Sequence, residues 1–145
     1  MATTTTNYGF DIPQSTDLVK DGATAIAALG QDIDTAFAGL TVNAQTGTTY
    51  TAVKADGLNA IVTMDNASAN TFRIPTDATY NFPTGTTLLV YQKGAGITTI
   101  NAVTSGTTTV VSAGATAAAP VLARYKSAAC IKIAANSWIV VGAIA

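Results

Sequence analysis

From Gly94 to Ala123 the chain carries no charged side chain. In length such a run would cross a bilayer, but its contents exclude that. Thr98, Thr99, Asn101, Thr104, Ser105, Thr107, Thr108 and Thr109 interrupt the apolar residues, and Gly106, Gly114 and Pro120 punctuate them as turns. Each polar group would need a partner that hydrocarbon does not offer. No membrane insertion is expected. Short strands with frequent turns remain, and the same signals run from Leu40 onward.

Strands are expected over 48–53, 59–64, 71–74, 87–92, 97–102, 107–111, 121–125, 129–134 and 138–142. The expected fold class is mainly β: an extended N-terminal arm and one helix, followed by an antiparallel β-sandwich or jelly-roll-like domain. Thr46-Gly-Thr-Thr, Thr84-Gly-Thr-Thr and Ser105-Gly-Thr-Thr share one turn chemistry at unequal spacing, so each reads as a turn that launches a strand rather than as an internal repeat. Leu88, Leu89, Val90 and Tyr91 leave no polar face, which predicts burial on both sides of that strand. Ile131 and Ile133, followed by Trp138 and Val140 across Ala135-Asn136-Ser137, read as a closing hairpin. Trp138 has two readings, a core residue or a platform for a sugar ring.

Charged residues make up 10% of the chain and the net charge is −1, against about 25% charged in an average domain. With no basic stripe to neutralise phosphates, nucleic acid is not an expected partner. The start, Met-Ala-Thr-Thr-Thr-Thr, lacks the basic and apolar segments of a signal peptide, so synthesis and retention in a cytosol are expected. Cys130 is the single cysteine, which precludes an intrachain disulfide and a cysteine metal cluster; its apolar strand makes it a buried, inert thiol. Histidine is absent, removing the commonest general base and the usual zinc ligand. All eight acidic residues are Asp, and the closest pair, Asp32 and Asp34, points to different helix faces. Gly94-Ala-Gly96 reads as a turn, not a phosphate loop. No enzymatic activity, catalytic residue, cofactor or metal is expected.

The chain divides into an arm (1–16), a helix (17–40) and a β domain (41–145). The arm has too little apolar surface to fold alone and carries Tyr8, Phe10, Ile12 and Pro13 as candidate attachment residues. Thr16 is placed as N-cap and Asp17 favours the first turn. Leu18, Gly22, Ile26, Leu29, Ile33, Phe37 and Leu40 follow at separations of 4, 4, 3, 4, 4 and 3, forming one apolar stripe with an eleven-residue repeat. Gly22 and Gly30 make the helix marginal in isolation. The stripe either packs on the chain's own sheet or serves self-association, with Leu18, Ile26, Leu29, Ile33 and Phe37 as the oligomer seam. Uncharged strands with open edges invite aggregation, and closure within an oligomer would remove that hazard.

Thr5-Thr6-Asn7-Tyr8-Gly9-Phe10-Asp11-Ile12-Pro13, with Thr16-Asp17-Leu18-Val19-Lys20-Asp21-Gly22-Ala23 and Ile33-Asp34-Thr35, resembles the N-terminal segment of tailed-bacteriophage minor tail and tail-fibre proteins. The β region is similar to a small domain recurring in phage fibres. The matching pieces are Met64-Asp65-Asn66-Ala67-Ser68-Ala69-Asn70-Thr71 with Ile74-Pro75, then Phe82-Pro83-x-Gly85-Thr86, Tyr91-Gln92-x-Gly94-Ala95-Gly96-x-Thr98, and Tyr125-x-Ser127-Ala128 with Ile131-Lys132-Ile133 and Trp138. In this light Asn66 to Asn70 form a polar turn, Phe72 and Ile74 face one way, Arg73 faces the other, and Pro75 ends the strand. The resemblance implies a structural virion protein assembled in the host cytoplasm: a homotrimeric short tail fibre or spike component whose arm attaches to other virion proteins of the tail or baseplate. Alternatives are a capsid decoration (cement) protein or head fibre on the major capsid protein, and a carbohydrate receptor-binding module. Fibres with this N-terminus usually carry a longer stalk or receptor-binding tip.

Overall fold

The structure, a computed structural model, describes residues 3–5, 10–12, 19–113 and 118–145. The chain forms two compact units, Met1–Leu40 and Thr41–Ala145. In the first, β1 (Thr3–Thr4) pairs antiparallel with β2 (Asp11–Ile12). The Thr5 amide donates to the Phe10 carbonyl at 2.8 Å, and the Phe10 amide donates to the Thr5 hydroxyl at 2.9 Å. The arm expected to order only against another molecule thus has a hairpin-like closure of its own. Helix α1 (Val19–Phe37) packs against β2. Its end is set by Gly39 at φ 107°, the left-handed conformation that stops helices and that glycine adopts without a Cβ clash. The expected N-cap Thr16 lies outside the described residues.

From Thr41 onward the chain is mainly β and alternates between two sheets. The elements are β3 (Thr41–Gln45), β4 (Thr49–Thr51), a 3-10 turn (Lys54–Gly57), β5 (Ala60–Met64), β6 (Asn70–Ile74), β7 (Thr87–Gln92), β8 (Thr98–Ala102), β9 (Thr109–Ser112), β10 (Val121–Leu122), β11 (Ser127–Ala134) and β12 (Ser137–Gly142). One sheet has the order β3-β5-β7-β11-β12-β9, the other β10-β8-β6-β4. Within the first, β3, β5 and β7 run parallel; within the second, β4, β6 and β8 do the same. Each successive pair is one rung, and three rungs stack. The antiparallel pairs are β7–β11, β11–β12 and β8–β10, while β9 joins β12 in parallel.

This corrects the expected antiparallel pairing: five of the eight pairings in this unit are parallel. The Thr-Gly-Thr-Thr and Ser-Gly-Thr-Thr turns do precede strands β4, β7 and β9. A turn signal, however, reads alike whether the next strand returns beside its predecessor or crosses to the other sheet. Strand β3 was not expected; Thr-Val-Asn-Ala-Gln is largely exposed at the sheet edge, and its short alternation is inverted, with Val42 and Ala44 exposed and Asn43 and Gln45 half-buried.

The polar turn after β5 is the stacking device of the rungs. Asn66 donates from its side chain to the Thr46 carbonyl of the rung before at 2.6 Å, while its Oδ1 accepts the Ser68 amide at 2.8 Å. Its own carbonyl accepts the Gly96 amide of the rung after at 3.0 Å. Gly94 and Gly96 are required by proximity: a Cβ on either would lie 2.3 Å or less from the backbone of Asn66 or Ser68. Inside the turn, the fully buried Gln92 amide donates to the Gly94 and Gly96 carbonyls at 3.0 and 2.8 Å. The Thr98 hydroxyl contacts Gln92 Oε1 and lies 2.6 Å from Asn70 Oδ1. Phe72 and Ile74 are buried and Arg73 is half-buried, as their alternation predicts.

Residues from both sheets join one hydrophobic cluster that includes Val62, Met64, Phe72, Leu88, Ile100, Leu122 and Trp138. Trp138 is 1% exposed and meets Phe82 edge-on, with ring centroids 5.6 Å apart. Its indole nitrogen is buried without a hydrogen-bond partner.

Candidate association surfaces

Of the arm residues, Phe10 is half-buried and Ile12, in β2, is 38% exposed; Tyr8 and Pro13 lie outside the described residues, as does Leu18 of the helical stripe. The half-buried positions of α1 are Gly22, Ala25, Ala28, Leu29, Asp32 and Ala36. At 3.6 residues per turn these centre on a side of mostly small residues about a quarter-turn from Ile26, Ile33 and Phe37. Gly22 and Leu29 are common to both this side and the expected stripe. Ile26 is 64% exposed, Ile33 41% and Phe37 84%, with Leu40 at 52% just beyond the helix. Ile26, Ile33 and Phe37 of the stripe are therefore exposed. Among the described residues no helix is long and apolar enough to cross a membrane.

The buried polar groups of the β unit are tied to one another. Lys132, 2% exposed, donates to Asp77 Oδ1 at 2.7 Å, to Asn81 Oδ1 at 3.2 Å and to the Phe82 carbonyl at 2.6 Å. The other Asp77 oxygen accepts the Asn136 amide at 3.0 Å, and Asn136 Oδ1 accepts the Asp77 amide at 2.8 Å. This clip joins the loop after β6 to the β11–β12 turn, where Asn136 takes φ 50°. Sequence reading missed Lys132, because Ile-Lys-Ile reads as a lysine among core isoleucines. Strand parity gives the opposite, with Ala128, Cys130 and Lys132 inward and Ile131 and Ile133 outward.

At the first rung, Asp56 is buried and accepts Asn43 Nδ2 at 2.7 Å, the Tyr50 hydroxyl at 2.8 Å and the Val53 amide at 2.8 Å. Burial first, then the hydrogen bond to the Asp56 carboxylate, pushes the Tyr50 phenol up to about 12. Burial likewise pushes the Cys130 thiol up to about 12. Both arrangements are closed, each polar atom facing the protein's own partner. Among the described residues no three His, Cys, Asp or Glu side chains converge as metal ligands would.

A cavity of about 500 Å³ lies beside β6 and β8, lined by Arg73, Asn101, Val103, Ser105, Thr108 and Val110, among others. Arg73 Nε and Asn101 Oδ1 are buried there without hydrogen-bond partners, and none of the described lining residues is aromatic. Of the aromatics that a sugar platform would use, Trp138 is in the core, Tyr91 is half-buried, and Tyr125 is exposed with the Arg124 guanidinium 4.5 Å from its ring centroid. Comparison with protein-family models, with curated proteins and with solved structures finds no match.

Proposed function

We propose that this chain is a non-enzymatic structural protein of a tailed-phage virion, a short trimeric tail-fibre or spike component that attaches through its N-terminal segment. The observation that carries the structural part is the uncovered apolar stripe of α1, with Phe37 at 84% and Ile26 at 64% exposure. An α-helix with such a stripe is stable in water when another helix covers it. The closed, internally satisfied buried polar clusters fit a scaffold. The attribution to a phage rests on the motif resemblance from Thr5 to Thr35 and from Met64 to Trp138.

The test has two arms. Ile26→Asp places a charge in the seam, and its oligomer is expected to dissociate in light scattering while the parent stays associated; a parent that is monomeric at all concentrations refutes the reading. Deleting residues 1–15 is expected to leave a folded oligomer absent from purified virions. Undiminished copy number in virions would move attachment to the helix or the β unit. Labelling the full chain within virions separates a tail fibre from a capsid decoration protein.

A further inference from the structure

The outward side of the six-stranded sheet is apolar across its width. One row of register partners runs Val42, Ile61, Leu89, Ala129, Val141 through β3, β5, β7, β11 and β12. A second runs Thr87, Ile131, Ile139, Val111 through β7, β11, β12 and β9. Neither row contains an ionisable side chain. Val42 is 66% exposed, and Val111 and Val141 are each 48% exposed. Hydroxyls border the rows, with Thr63 and Ser127 on one side and Thr109 on the other. At Ala129 the face dips into a depression of about 340 Å³, also lined by Ile61, Leu89, Val141 and Gly142.

The central strand makes the pattern pointed. In β11 the lysine is turned into the core while Ile131 and Ile133 point out, the reverse of what water on the outer face would favour. In β7, burial on both sides is expected from Leu88 to Tyr91, yet only Leu88 and Val90 are fully buried, while Leu89 and Tyr91 are half-covered. The outer face has the composition of an interior without the cover.

We propose that a second copy of this chain covers the outer face of the six-stranded sheet. The inference rests on the self-association reading above. Charge favours a copy as occupant, because an uncharged face meets its like without desolvating an ion. Six strands spaced ~4.8 Å apart and about four residues deep give on the order of 350 Å², well short of the ~800 Å² per partner of a stable interface. A helical stripe roughly 28 Å long and ~10 Å wide adds about 300 Å². Together the two come to about 650 Å², still below that figure, so each contact is a modest one. Copies already held by one surface meet at the other at high effective concentration, where a modest contact is enough.

The experiment compares the full chain with Val141→Lys and Ile26→Asp by sedimentation velocity over a concentration series. Hydroxyl-radical footprinting of the unmodified chain is run on the same series, with exposed Tyr125 as the internal reference. Val141→Lys is expected to raise the dissociation constant about tenfold or more with unchanged circular dichroism, and oxidation of Val141 and Ile139 is expected to fall as the chain associates. If Val141→Lys associates like the parent and footprinting of the row is independent of concentration, the sheet-face proposal is overturned. Dissociation by Ile26→Asp in that case leaves the helix reading standing. If instead Val141→Lys dissociates and Ile26→Asp does not, the sheet contact holds and the helical seam fails. A parent that is monomeric throughout overturns both. Should Val141→Lys misfold, footprinting of the unmodified chain decides alone.

Discussion

Replacing Gly96 by alanine is the sharpest probe of the stacked rungs. The new Cβ would sit 2.1 Å from the Ser68 carbonyl oxygen and 2.5 Å from its carbon, where ordinary contact begins near 3.4 Å. The obstacle is backbone, so relief means moving one turn from the other by more than an ångström. That movement breaks the 3.0 Å bond from the Gly96 amide to Asn66 and pulls the Gly96 carbonyl from Gln92, whose side chain is fully buried. Overpacking costs about 1–3 kcal/mol, and a buried amide left short of a partner costs about 1–3 kcal/mol more. A loss of about 4 kcal/mol is expected, a large share of the roughly 5–15 kcal/mol of a typical domain. Urea unfolding followed by Trp138 fluorescence at fixed protein concentration measures it, as a midpoint lowered by about 2 M at unchanged slope. Gly106→Ala is the control, since Gly106 has open space around its Cβ position and lacks a positive φ; it should be neutral or stabilising by up to about 1 kcal/mol. Coincident midpoints for the two variants would refute the close stacking of the 65–69 and 93–97 turns.

Lys132→Met removes the ammonium from the Asp77 clip, where the lysine side chain is 2% and the aspartate 17% exposed; a loss of about 3 kcal/mol is expected in the same unfolding assay, at the lower end because Asp77 keeps the Asn136 amide. The Tyr50 phenol is raised from 10.0 to about 12, so its contribution to stability is complete below pH 10 and declines as pH rises from there through about 12. Thermal melting across that window should show a smaller alkaline decline for Tyr50→Phe than for the parent. Cys130, fully buried with its thiol pushed up to about 12, should react with a maleimide only as fast as the β unit unfolds; rapid labelling of native protein would place the thiol at the surface.

Much of the strand content was legible because alternation and turn residues act locally. The Asn66–Asn70 turn, the inward Phe72 and Ile74, and the β11–β12 hairpin follow from a few neighbouring residues each. Partner choice was not legible. Ile61 pairs with Leu89 across a long stretch of chain, and no local pattern distinguishes that parallel neighbour from a hairpin partner. Lys132 was missed for a related reason: its burial is set by Asp77, Asn81 and Phe82, all distant in sequence. In the helix, spacing puts Ile26, Ile33 and Phe37 on one stripe, and all three are exposed. Small residues a quarter-turn away became the half-covered side, which the stripe itself does not reveal.

The rung topology also bears on how a nascent chain acquires this structure. Parallel neighbours cannot be joined by a tight turn, so β3, β5 and β7 leave the ribosome as strands without a local partner. The tight hairpin in the six-stranded sheet is β11–β12, built from residues 127–142, and β11 is also the antiparallel neighbour that β7 requires. Trp138, at the middle of the cluster, arrives with it. Completion of this sheet around Trp138 thus waits until residues 127–142 are available. Helix α1 precedes every rung in the chain, so the helical seam proposed above would be complete before the sheets are.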